Sequence, residues 1–140
     1  MGRIMAIDYG SKRSGIAVSD PLRIISTGLD TVKTTDLLTY LEAYFKTEEV
    51  DILLIGLPLH KDGNPTFLEK EIKGFIRKIA DVAPHLIIER IEESFSSVRA
   101  KDAILKSGAS LKKRRDKGLL DKMSAVILLQ DYMEMDNPYH

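Results

Sequence analysis

Apolar and polar positions fall into short blocks along this chain, and the blocks predict its elements. Ile4-Met5-Ala6-Ile7 is an apolar run that stops at Asp8, the pattern of a short buried strand. Tyr9-Gly10-Ser11-Lys12 reads as a turn. Ser14-Gly15-Ile16-Ala17-Val18-Ser19 returns as a second strand, which completes a hairpin. Ile24 and Ile25, shortly after Pro21, predict a third short strand. Leu37, Leu38, Leu41, Tyr44 and Phe45 then recur at helical spacing, with Thr34 or Thr35 placed to cap that helix. Asp51-Ile52-Leu53-Leu54-Ile55-Gly56 is again a buried strand, and Leu68, Ile72, Phe75, Ile76 and Ile79 mark the next helix. Leu86-Ile87-Ile88 opens a strand that runs towards Glu92. Ser96 or Ser97 caps a helix over about 97–107, with Gly108 near its stop. A basic loop follows over 109–117, and a last helix runs from Leu119 to about Met133.

The order β-β-β-α-β-α-β-α-α is a meander followed by alternating helices and strands. It predicts an α/β fold with a mixed five-stranded sheet: three antiparallel strands, then parallel strands added through right-handed helical crossovers. No internal repeat or linker interrupts it, so residues 1–135 are expected to form a single domain with a frayed tail at 136–140.

Composition narrows the function. Of 140 residues, 44% are apolar and 30% charged, an ordinary globular mixture with enough bulk for one core. Lys and Arg total 21 and so do Asp and Glu, which argues against a protein that grips nucleic acid by bulk charge alone. There is no Cys, which removes disulfides, thiolate metal sites and cysteine catalysis. No apolar run is long enough to span a bilayer, and the first residues lack a signal-peptide pattern, so no membrane is expected. A reducing, cytoplasmic setting fits. The charge is uneven, however: Arg99–Lys122 holds nine basic and three acidic residues. Lys112-Lys113-Arg114-Arg115, in its middle, reads either as a solvated loop or as an arm for phosphodiester backbones. Lys12 and Arg13, in the first turn, have the same two readings.

Three acids are candidates for one site. Asp8 ends a strand that should lie mid-sheet, where a carboxylate is costly to desolvate without a partner or a cation. Glu92 and Glu93 end the 86–91 strand, expected to neighbour the first, and alternation lets only one of them face Asp8. Asp121 falls in the first turn of the last helix, where the helix dipole alone would favour it. Taken singly, each acid has a structural explanation. Together they would suit a hard divalent cation, which takes oxygen ligands and keeps several waters. Paired ions of this kind hydrolyse phosphodiesters without a protein nucleophile. His60, His85 and His140 are scattered.

Asp8-Tyr9-Gly10-Ser11-Lys12-Arg13-Ser14-Gly15-Ile16-Ala17-Val18-Ser19-Asp20 resembles the opening motif of the YqgF (RuvX) family. Gly56-Leu57-Pro58-Leu59 with Asp62-Gly63 is similar to its second motif, and Leu120-Asp121-Lys122-Met123-Ser124-Ala125-Val126-Ile127-Leu128-Leu129 to its C-terminal helix. The resemblance spans essentially the whole chain. One motif departs: where the family carries Asp-Glu-Arg, this chain has Glu92-Glu93-Ser94. Glu93 keeps the central acid, but Ser94 cannot supply a bidentate cation, and Arg90 or Arg99 would have to compensate.

The resemblance implies a ribonuclease H-like fold and a cytoplasmic nuclease in which Asp8, Glu93 and Asp121 hold Mg²⁺ or Mn²⁺. It implies action at the 5′ end of precursor 16S ribosomal RNA, or on branched DNA as a Holliday-junction resolvase. A nucleic-acid-binding module without catalysis is the competing class, kept open by the altered triplet. An actin-like ATP-binding domain shares the Asp-x-Gly turn but normally needs two domains. The sequence leaves homodimerisation open.

Overall fold

In the computed structural model, which describes residues 2–58, 66–93, 96–108 and 116–135 (side chains excepted at 96–98), the first strand is β1 (Arg3–Tyr9). It is followed by β2 (Arg13–Ser19) and β3 (Ser26–Lys33), both antiparallel to their predecessor. A 3-10 turn (Thr34–Asp36) leads into α1 (Leu37–Thr47), and β4 (Val50–Leu57) then pairs parallel to β1. Helix α2 (Leu68–Val82) connects β4 to β5 (Ile87–Glu92), which pairs parallel to β4. Helices α3 (Ser96–Lys106) and α4 (Lys117–Met135) complete the described chain. The sheet order is β3-β2-β1-β4-β5.

Strand alternation divides the core between two faces. Met5, Ile7, Ile16, Leu53 and Ile55 turn to α1 and α2, where Leu37, Leu41, Ile72, Phe75 and Ile79 cover them. Ile4, Ala6, Ala17 and Leu54 turn to the other face and meet Ala125, Val126 and Leu129 of α4. Each fully buried aliphatic side chain contributes about 1.5–3 kcal/mol relative to exposure. The residues against α4 are smaller, so that helix lies closer to the sheet. Val126 and Gly118 receive hydrogen bonds at their carbonyl oxygens from Ser26 Oγ and Thr31 Oγ1 of β3.

Several sequence expectations need correction. Ile24 and Ile25 are not in a strand; they are exposed, and β3 starts only at Ser26. The Oδ1 of Asp20 accepts both their amides, at 2.7 and 2.8 Å, which withdraws those donors from any ladder. Arg23 turns the chain there with a left-handed φ of 58°. Thr34 does not cap α1. Its hydroxyl donates to the Gly10 carbonyl at 2.6 Å and lies 2.9 Å from Ser14 Oγ, tying the end of β3 to the turn after Asp8. Helix α4 begins two residues earlier than expected, which moves Asp121 out of its first turn. The 86–91 strand does not neighbour β1, because β4 stands between them. The tail at 136–140 and the loop at 109–115 lie outside the described residues.

Candidate active site

Strands β1, β4 and β5 run in the same direction, so their carboxyl ends share one edge of the sheet, the usual place for ligands in α/β folds. Asp8 and Tyr9 close β1 and point to opposite faces. Tyr9 goes to the α2 side, where its ring meets Phe75 with centroids 5.7 Å apart. Asp8 follows Ile4 and Ala6 to the α4 side.

Glu93 continues β5 by one rung, its amide donating to the Leu57 carbonyl at 3.3 Å. The alternation leaves Glu92 exposed and turns Glu93 inward. Glu93 reaches Asp8 by lying across Gly56, where a β-carbon would collide with its carboxyl group. Gly56 stands beside Ile91 in β4, between the two acidic strands. A glycine is therefore required there by close approach, and a turn is not its purpose.

The two carboxyl groups are hydrogen-bonded. Burial pushes Asp8 well above the ordinary carboxylate range, and the charge of Glu93, the hydrogen bond to it and the charge of Asp121 push it further. Burial also raises Glu93, while the hydrogen bond from Asp8 and the positive charge of Arg90 act against the rise. Both carboxyl groups are thus harder to ionise than free ones, Asp8 the more so.

Asp121 reaches the same corner through a second glycine. Gly15 pairs with Asp8 across the hairpin, and the backbone of Asp121 and Lys122 rests directly on it, in the space a side chain would need. The Oδ2 of Asp121 accepts a hydrogen bond from Arg13 Nε at 2.8 Å. The structure therefore joins Asp8 to Glu93 and brings Asp121 within electrostatic reach of Asp8. Among the described residues, no three Asp, Glu, His or Cys side chains stand close enough to share one ion. The donor chemistry of the joined pair still fits a hard cation: its donors are oxygens, and a positive charge there would relieve their mutual repulsion.

The proposed cationic contacts divide. Lys12 is exposed in the first turn, while Arg13 is half-exposed and bound to Asp121. Lys112, Lys113, Arg114 and Arg115 lie outside the described residues, as do Ser94 and Phe95. Neither suggested substitute for the family arginine is free. Arg90 grips Glu69 with two hydrogen bonds, at 2.6 and 2.9 Å, and donates to the carbonyls of Ile55 and Gly56. Arg99 is bound to Asp131 at 2.7 Å. The Arg90 clamp fixes the first turn of α2 to the acidic end of β4. Sequence reading missed it because Glu69 and Arg90 are far apart in the chain and each looks like an ordinary surface charge.

This sheet, with acids closing its central and edge strands, has the ribonuclease H-like arrangement. A solved structure, "T. thermophilus RuvC in complex with Holliday junction substrate", superposes with a TM-score of 0.60 over 97% of both chains at 13% identity, which establishes the shared fold. The chain is of the ribonuclease H-like nuclease class. More narrowly, residues 2–135 match the family model described as "RuvX: Holliday junction resolvase", and the chain belongs to that family. A relative in Porphyromonas gingivalis is 46% identical over 138 residues, covering 99% of both chains. Another, in Flavobacterium johnsoniae, is 44% identical over 133 residues, covering 95% of this chain and 96% of its own. Both carry the name "Putative pre-16S rRNA nuclease". Among the described residues, no helix is long and apolar enough to cross a membrane.

Proposed function

We propose that this nuclease hydrolyses phosphodiester bonds in the 5′ region of precursor 16S ribosomal RNA, in the cytoplasm, with residues 1–135 acting as one catalytic domain. One observation carries the reading: two part-buried carboxyl groups, Asp8 and Glu93, meet across Gly56 at the carboxyl edge of the sheet, and the charge of Asp121 reaches Asp8. A fold seeking only stability would place a cation or an apolar residue there.

Asp8 and Glu93 would hold Mg²⁺ or Mn²⁺, and Asp121 would add its negative charge to the site. Divalent ions bound by such oxygens lower the pKa of water and stabilise the leaving oxygen. Asp8 and Glu93 fix the position of that charge, because β1 and β5 set their separation and Gly56 leaves the path between them open. Arg13 orients Asp121 through its Nε hydrogen bond. Lys12, and Lys112 to Arg115, would neutralise backbone phosphates, so replacing that loop's cations should weaken binding and flatten its salt dependence.

Branched DNA is the second reading, favoured by the resolvase description of the family model. One experiment separates them: Mn²⁺-dependent digestion of precursor 16S RNA beside a four-way DNA junction. Cleavage of the RNA is expected, falling about a hundredfold or more in Asp8→Asn and Glu93→Gln while the fold persists. Undiminished cleavage by both variants would remove these acids from the reaction. Cleavage of the junction alone would make DNA the substrate.

A further inference from the structure

The end of β1 opens on two sides. Asp8 faces α4, and the next side chain, Tyr9, faces a cavity of about 510 Å³ between the 3-10 turn, α1 and α2. That volume lies in the range of small-ligand sites. Tyr9, Leu38 and Phe75 give it an apolar lining, joined by the exposed threonines Thr35 and Thr39. Its charged groups, Lys78 and Glu71, cancel, so its chemistry suits a neutral, flat, hydrogen-bonding group better than a bare phosphate.

Gly74 supplies an independent sign that the space is kept open. It lies in the interior of α2, where glycine is the poorest helix former after proline. Unlike Gly15 and Gly56, it is not required by a neighbour, since a β-carbon there would meet nothing within 4 Å. Its missing side chain only enlarges the cavity it lines.

We infer that this cavity receives the base of a nucleotide near the scissile phosphate, the strand passing over the Tyr9–Gly10 turn from one face of the sheet to the other. Aromatic side chains hold unstacked bases by their π-faces, and hydroxyls read their edges, so the cavity selects single-stranded over paired substrate. The inference rests on the nuclease reading and adds a base subsite to it.

The test uses full-length Asp8→Asn protein without divalent metal, so that binding is read apart from cleavage. A fluorescent single-stranded RNA pentamer carrying 4-thiouridine is the probe. Gly74→Ala, Gly74→Leu and Gly74→Trp, built on that background, fill the cavity in steps. Affinity should fall with side-chain volume, by about tenfold at Trp, while melting temperatures hold or rise because each replacement favours the helix. Photo-crosslinks should map to Tyr9 or to α2 in the Gly74 protein and disappear in Gly74→Trp. Equal affinity across the series, crosslinks confined to other segments, or no binding by the Gly74 protein would each overturn the subsite. Loss of the nuclease reading itself would appear separately, as intact precursor RNA in the metal-dependent digestion.

Discussion

The two ends of the sheet are both built from charged residues, and they use them in opposite ways. At the end where β1 and β4 begin, Glu48 and Asp51 each meet an arginine. Arg3 pairs with Glu48 at 3.3 Å, and Arg23 pairs with Asp51 at 3.2 Å. Asp51 also takes the Gly2 amide at 2.8 Å, and Arg3 caps the Ser19 carbonyl at 3.0 Å. At the other end Asp8 faces Glu93, with Asp121 in electrostatic reach, and the nearby cations Arg90 and Arg13 are bound to Glu69 and Asp121 instead of Asp8. The first end is arranged for stability. The second gives up stability for chemistry, and it is made possible by two glycines that let acidic groups come close.

The largest test of this contrast is at Gly15. Gly15→Val would force the backbone of α4 off the sheet, at a cost of about 3 kcal/mol. Urea unfolding should show a lower midpoint, and cleavage should fall as Asp121 moves away. If stability and activity are unchanged, α4 is not seated as described.

Next in size is the Arg90 clamp, which braces the acidic end. Arg90→Met leaves Glu69 facing two freed carbonyls and should cost about 2 kcal/mol. Adding Glu69→Gln should recover part of the loss, because the stranded charge is removed. Additive losses in the double variant would mean that the two side chains do not work as a pair.

A smaller effect of opposite sign is expected at Asp8. Its pKa in the folded chain lies above the ordinary value of 3.8. Between that value and the raised one, the native state holds a proton that the unfolded chain has lost. Without metal, stability should therefore fall as pH rises through this window and level off above it. Asp8→Asn should melt higher than the parent in chelator at neutral pH and show a shallower pH slope. A variant that melts lower, with the slope intact, would place the strain elsewhere.

The smallest effect belongs to the opposite end. Asp51→Asn should cost about 0.5–1 kcal/mol, decrease further in high salt, and leave cleavage at the parent rate. Loss of activity there would erase the division between the two ends.

Much of this arrangement was legible in the sequence, because periodicity carries it. Alternation along β5 allowed only one of Glu92 and Glu93 to face Asp8, the family resemblance pointed to Glu93, and the order of elements led to the mixed sheet. What stayed hidden depends on long-range packing. The interposition of β4 could not be read from the apolar run at Leu53–Ile55, and without it the passage of Glu93 over Gly56 could not be foreseen. Thr34 had the composition of a cap, yet its hydroxyl found a better partner 24 residues earlier at Gly10. Ile24 and Ile25 carry strand-forming side chains, but Asp20 captured their amides first.

At Gly15 a helix backbone rests on a strand backbone with no rotatable group between them. Side-chain contacts yield by switching rotamers; main-chain atoms in contact have no such freedom. The distance from the Asp121 main chain to β2 is accordingly bounded by a hard stop on its inner side. Temperature or substrate can lift α4 outward, but neither can press it nearer, so the approach of this helix to β2 has a fixed minimum written into two stretches of main chain.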